Sequence, residues 1–114
     1  MKLRTQELVG DALDWAVATY LGVPIPNGLT DDERYSTDWS IGGPLMEHFV
    51  VNVNATGTTA EPWEAEPSDG FVHSGFIAPA VTTTGQTILI AVMRLIVLKN
   101  MGEEIEVPSN IKNG

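Results

Sequence analysis

Hydrophobic and polar positions follow different rhythms along the chain. From Leu8 to Tyr20 the apolar residues Leu8, Ala12, Trp15 and Ala16 recur at helical spacing, and Val9, Leu13 and Tyr20 widen the stripe. Asp11 and Asp14 fall off that stripe and are expected to face water. Thr5 is the expected N-cap, with Glu7 in the first turn at the positive end of the helix dipole. Gly22 is placed to end the helix, and Pro24 and Pro26 prevent it from resuming. The following stretch, residues 23–44, is rich in Pro, Gly, Asn and Asp and reads as one long ordered loop, shortened at most by a helical turn near Thr30 or Ser36.

The rhythm then changes to two. Phe49, Val51 and Val53 alternate with His48, Asn52 and Asn54, as in a half-buried strand, although Val50 breaks the polar face. "NATG" marks a turn, and Trp63 and Ala65 alternate with Glu64 and Glu66 on a returning strand. Pro62 cannot donate to a ladder, which places this second strand at an edge or beside a bulge. Residues 69–80 allow a short third strand, against which their glycines count, and His73 is expected in a glycine-flanked loop.

From Ile88 to Leu98 the only polar residue is Arg94. The β-branched content suits a strand pair too, but the uninterrupted length and Gly102 at the C-terminal end favour a central core helix. The run is shorter than the roughly 20 residues that span a bilayer. Ile105 and Val107 predict a short extended segment. The pattern implies an α+β fold: N- and C-terminal helices packed on one face of a small antiparallel sheet, with a long ordered loop. At 114 residues the expectation is a single domain, 1–114.

Charge narrows the function classes. Fifteen acids against six bases give a net charge of −9, so direct nucleic-acid binding, which needs a basic patch, is disfavoured. A basic partner, or mimicry of a nucleic acid, stays open. With no cysteine there are no disulfides or thiolate metal sites. No secretory signal is evident at the start and no membrane span is expected, so the cytoplasm is the expected compartment.

The blocks "TQELVGDALDWAVA", "YSTDWSIGGPLME" and "LIAVMRLIVLKNMGEEIEVP" resemble the NinX-like family of small phage and prophage proteins. Members carry a similar "ALDWAVA" helix, a "STDW…GGP" loop, and an "LIAAMR" helix followed by "GDEVEVP". The last helix of the family usually starts through "GPTPL", where this chain has Gly85-Gln86-Thr87-Ile88-Leu89. Residues 54–84 match poorly apart from Trp63-Glu64-Ala65. The resemblance implies a phage accessory protein in the bacterial cytoplasm and carries no known activity.

Candidate chemistry is sparse. A nucleophilic triad has only His48 and His73 to draw on, and no serine sits in a G-x-S-x-G elbow, so no catalytic residue is assigned. Neither Asp31-Asp32-Glu33 nor Glu61, Glu64, Glu66 and Asp69 has the spacing of a calcium loop, so no metal or other cofactor is assigned. Arg94 is the exception. A buried guanidinium must find a carboxylate or carbonyls; Glu47, on the core-facing parity of the expected first strand, and Asp38 are the candidates for a structural ion pair. The densest candidate site is "YSTDWSIGGP", where Tyr35, Asp38, Trp39, Gly42 and Gly43, with Arg94, form the expected binding residues. Its members equally suit a structural corner: Ser36, Thr37 and Asp38 close turns, Trp39 anchors in the core, and Gly42-Gly43-Pro44 resets the chain. The leading expectation is a non-enzymatic module that binds a host or phage protein. Its rival is a small ligand-binding domain or enzyme with a pocket around this loop and Arg94. An open sheet edge makes a homodimer the expected assembly.

Overall fold

The long apolar run folds as a helix, α3 (Ile88–Met101), in the computed structural model, which describes residues 1–49, 51–68, 72–73, 76–77 and 82–114. Thr87 caps it by accepting the Ile90 N–H, and Gly102, at φ +94°, ends it by donating to the Leu98 carbonyl. Leu89, Ala91, Val92, Met93, Leu95, Ile96 and Val97 are all buried. A helix apolar all round must be covered all round. Here strands cover one side, and the helices α1 (Gly10–Leu21) and α2 (Trp39–Phe49) pack on others. Burial thus overrides the β-branched propensity of the run.

The sheet on α3 has three antiparallel strands in the order β2 (Val51–Ala55), β3 (Trp63–Pro67), β6 (Thr83–Gly85). Ala65 lies opposite both Val53 and Thr83 and is fully buried. The expected hairpin is present, but β3 is central rather than an edge strand. Its prolines stand outside the doubly paired part. Pro62 precedes the strand and its carbonyl accepts the Thr56 N–H at 2.9 Å, while Pro67 pairs only with Val51, beyond the reach of β6. Between β3 and β6 the described pieces β4 (Val72–His73) and β5 (Phe76–Ile77) pair with each other. His73 therefore lies in a strand rather than a loop. The rest of the expected third strand, and Val50, lie outside the described residues.

A second small ladder joins β1 (Lys2–Arg4) to β7 (Glu104–Glu106), with Leu3 opposite Ile105. This confirms the extended segment around Ile105 and adds an N-terminal strand that the pattern did not show. Thr5 does not cap α1. It is fully buried in a 3-10 turn, Thr5–Glu7, where its hydroxyl donates to the Gly102 carbonyl at 2.6 Å and its N–H to Glu103. Thr5 therefore serves the far end of α3. α1 begins at Gly10, and its free N–H groups are met by the tail: Val9 donates to the Asn113 side chain at 2.9 Å and Ala12 to the Lys112 carbonyl at 3.0 Å. Gly22 ends α1 at φ +74° as expected.

The largest correction is α2. Residues 39–49 are helical, so Gly42-Gly43-Pro44 is not a turn and the strand begins only at Val51. Ile41, Leu45 and Phe49 recur every four residues and pack on the core, a helical rhythm that the Gly-Gly-Pro breakers disguised. Pro44 removes the N–H that Ser40 O would accept, at a place where both residues are exposed. The α+β class stands: three helices with small antiparallel sheets. No helix among the described residues is long and apolar enough to cross a membrane.

Candidate functional site

The segment between α1 and α2 is held by short polar side chains. Thr30 and Glu33 form a capping box around the 3-10 turn Asp31–Glu33: Glu33 accepts the Thr30 N–H at 2.9 Å, and the Thr30 hydroxyl accepts the Asp32 N–H. Arg34 donates to Asp31 at 2.8 Å in an exposed pair. Tyr35 and Ser36 turn inward and are buried. The Ser36 N–H donates to Asp14 on α1 at 2.9 Å, in a buried bond that ties the segment to the helix.

Asp14 was expected in water and is instead 5% exposed. α1 is covered on a second side by this segment, where Asp14 and, one turn on, Ala18 are both buried. Burial pushes the Asp14 carboxyl up; Ser36 opposes this from its hydroxyl and N–H, and Arg34 more weakly, while Asp11 adds to it. No cation bonds Asp14 among the described residues. The Ser36 hydroxyl beside it has no hydrogen bond of good geometry. Burial and the neighbouring Glu33 and Asp14 likewise raise the Tyr35 phenol.

Asp38 then starts α2. Its carboxylate accepts both the Ser40 N–H at 2.9 Å and the Ser40 hydroxyl at 2.7 Å, which holds its pKa below the usual carboxylate range. The next residue, Trp39, is 54% exposed, so it does not anchor the core as the corner reading requires. Its ring lies back along the helix: a Cβ on Gly43 would sit 3.5 Å from the ring carbon Cε3. Gly42, by contrast, faces inward, where a Cβ would run into the Tyr35 carbonyl oxygen and meet Leu89 Cδ2 at 3.0 Å. Tyr35, Asp38, Trp39, Gly42 and Gly43 are thus brought together, the first and Gly42 inside, Trp39 outside.

Arg94 does not join them. It is 4% exposed, and its guanidinium donates to Leu8 O at 2.9 Å, Thr84 O at 2.7 Å and Glu61 Oε2 at 2.7 Å. The structural ion pair is therefore with Glu61, not with Glu47 or Asp38. Glu47 is exposed because residues 45–49 are helical, which cancels the strand parity that pointed it inward. Arg94 holds the Glu61 pKa low, with help from Thr84. His48 is exposed and packs edge-on against Phe49.

A cleft of about 290 Å³ between α1 and the segment before α2 is lined by Gly10, Asp11, Asp14, Thr30, Asp31, Glu33, Arg34 and Thr37, and Trp39 is not on its wall. No group of three or more His, Cys, Asp or Glu among the described residues is placed to hold a metal ion. The family model described as bacteriophage P22, NinX matches residues 4–100, most of the chain. No curated protein matches the chain significantly.

Proposed function

The chain belongs to the bacteriophage P22 NinX family, and we propose that it serves as a non-enzymatic phage accessory protein that binds another protein, host or phage, in the bacterial cytoplasm. The observation that carries this reading is Trp39, a large aromatic left 54% exposed on the first turn of a helix whose other apolar residues are packed. Exposed tryptophans on rigid elements are typical centres of protein interfaces. The rival reading, a ligand pocket closed by Arg94, lacks its cation, because that guanidinium already bonds Leu8, Thr84 and Glu61.

The test pairs stability with capture. Trp39→Ala is expected to melt within about 2 °C of wild type, as a surface substitution does. In affinity capture from phage-infected cells, a partner recovered by wild type is expected to be lost with Trp39→Ala. Full retention of the same partner, or a melting point lowered by many degrees, overturns the reading. Self-association through β2 or β6, the outer strands of the three-stranded sheet, belongs to the same proposal. Sedimentation equilibrium at micromolar concentration showing only a 12.3 kDa species rejects it.

A further inference from the structure

We infer that the free edge of β2 is the docking surface for a second copy of this chain, which pairs there strand to strand about a two-fold axis at Val53. The inference deepens the self-association proposed above, because it chooses between the two outer strands and names the register.

The register follows from which backbone groups are free. In an antiparallel ladder, residues that exchange bonds with their partner alternate with residues whose N–H and C=O point the other way. Thr56 donates to the Pro62 carbonyl at 2.9 Å, and the β2–β3 register carries that bonded pairing on to Asn54 with Glu64 and Asn52 with Glu66. Val51, Val53 and Ala55 therefore turn their N–H and C=O groups outward. Among the described residues no strand but β3 pairs with β2. The outward residues are symmetric about Val53. A second copy laid antiparallel pairs Val53 with Val53 and Val51 with Ala55, so each outward N–H meets a C=O.

The side chains fit the same axis. Val51 and Val53 are half-buried against the core on one face, and the pairing brings valine to valine there. On the other face the exposed Asn52 stands opposite Asn54 of the copy, at the non-bonded pair where side chains come closest. No Asp, Glu, Lys or Arg occurs between Glu47 and Glu61. That matters for a chain of net charge −9, whose copies repel over most of their surface. Glu64 and Glu66 share the face of Asn52 and Asn54. Across the strand spacings of about 4.8 Å they lie about 14 Å from those of the copy, beyond the screening length of about 8 Å at physiological salt.

The other edges are closed. Natural edge strands are blunted by charge, proline or cover. By the same alternation Thr84 is the β6 residue that turns outward, and its carbonyl already accepts from Arg94 at 2.7 Å. The β1–β7 ladder carries Lys2, Arg4, Glu104 and Glu106. β2, with the sequence VNVNA, has no such guard.

The experiment is sedimentation equilibrium at micromolar concentration, in about 0.05 M and 0.5 M salt. Wild type is expected to form a reversible dimer of the 12.3 kDa chain, tighter at the higher salt as repulsion between copies is screened. Asn52→Glu/Asn54→Glu sets carboxylate against carboxylate on both sides of the axis and is expected to weaken the dimer about tenfold or more. Asn52→Lys/Asn54→Glu sets cation against carboxylate at the same places and is expected to tighten it, which decides the matter even if the first variant fails to fold. Gln6→Glu/Thr37→Glu adds two carboxylates at exposed positions away from β2 and is expected to stay within about threefold of wild type at the higher salt. A dimer that none of the variants alters does not use β2, which overturns the inference while self-association survives. Equal weakening by the two variants that add only carboxylates means diffuse repulsion and also overturns it. A single 12.3 kDa species at both salts overturns self-association as well, and the Trp39 reading then stands or falls by its own capture experiment.

Discussion

Arg94→Leu is the sharpest test of the interior. The guanidinium is 4% exposed and, among the described residues, makes three hydrogen bonds, two of them to the main-chain carbonyls of Leu8 and Thr84. Leu8 is fully buried, so its carbonyl has no ready access to water once its donor is gone. Leaving a buried polar group unmet costs about 1–3 kcal/mol, and there are two. Leucine returns some apolar burial, so a net loss of about 3–5 kcal/mol is expected. At roughly 4 °C per kcal/mol for a domain of this size, the melting point drops by about 12–20 °C. Glu61→Gln is expected to cost only about 1–2 kcal/mol, because Glu61 is 40% exposed and an amide oxygen still accepts from Arg94. Urea unfolding at pH 7 reads both, as a shift in midpoint at constant slope. Arginine bonding holds the folded-state pKa of Glu61 below its ordinary value near 4.5. Its contribution is therefore present above that value and lost as pH falls through the depressed one, so the gap to Glu61→Gln closes in acid. An Arg94→Leu protein as stable as wild type would refute the reasoning, since the desolvation of the guanidinium would then outweigh its hydrogen bonds.

Three further expectations follow from single contacts. Gly42→Ala is expected to cost about 1–3 kcal/mol or more, because its Cβ meets the Tyr35 main chain, while Gly43→Ala gains up to about 1 kcal/mol of helix propensity; thermal melts that rank them the other way reject the α2 packing. Asn113→Ala removes the side chain that accepts from Val9 and donates to Glu7, and is expected to cost about 0.5–2 kcal/mol with faster amide exchange at the start of α1. Asp14→Ala is expected to cost about 1–3 kcal/mol by orphaning the Ser36 N–H, whereas Asp14→Asn keeps an acceptor and is expected to equal or exceed wild type at pH 7. The Asp14 pKa is raised in the fold, so wild type is favoured at low pH and loses that advantage as pH rises through the folded value. The excess of Asp14→Asn therefore shrinks as pH falls through the folded value and is gone below the ordinary 3.8, and denaturant melts at about pH 3.5 and 7 check this.

What was legible and what was not divides along physical lines. α3 was readable because its signal is long and local: an apolar run without an internal turn residue and Gly102 at its end agree. The need of Arg94 for carbonyls and a carboxylate was readable for the same reason, as a property of one side chain. Its partner was not, because Glu61 reaches it from the loop of the β2–β3 hairpin, 33 residues away in sequence. α2 was hidden because Gly42, Gly43 and Pro44 are breakers by propensity, and only tertiary contact makes Gly42 necessary and Pro44 tolerable. Asp14 was hidden because an aspartate beside an apolar stripe looks solvated until a second layer covers it, and that layer is the irregular segment before Asp38.

The stretch from Tyr35 to Pro44 shows why a structural corner and an exposed tryptophan are not alternatives. Its inward half is fixed to the rest of the chain: Ser36 to Asp14, Gly42 to Tyr35 and Leu89, and the Asp38 cap to Ser40. These contacts set where α2 starts, and the start of α2 sets where Trp39 points. A tryptophan on a floppy loop would lose conformational freedom on meeting a partner, at about 0.5–1.5 kcal/mol per ordered side chain and more for its backbone. Trp39 sits on a capped helical turn, so most of that ordering is already done by folding. Energy that folding would otherwise gain by burying the ring is withheld. An exposed ring on a rigid turn is a departure from the most stable arrangement, and the Trp39→Ala melt measures how little stability that ring supplies.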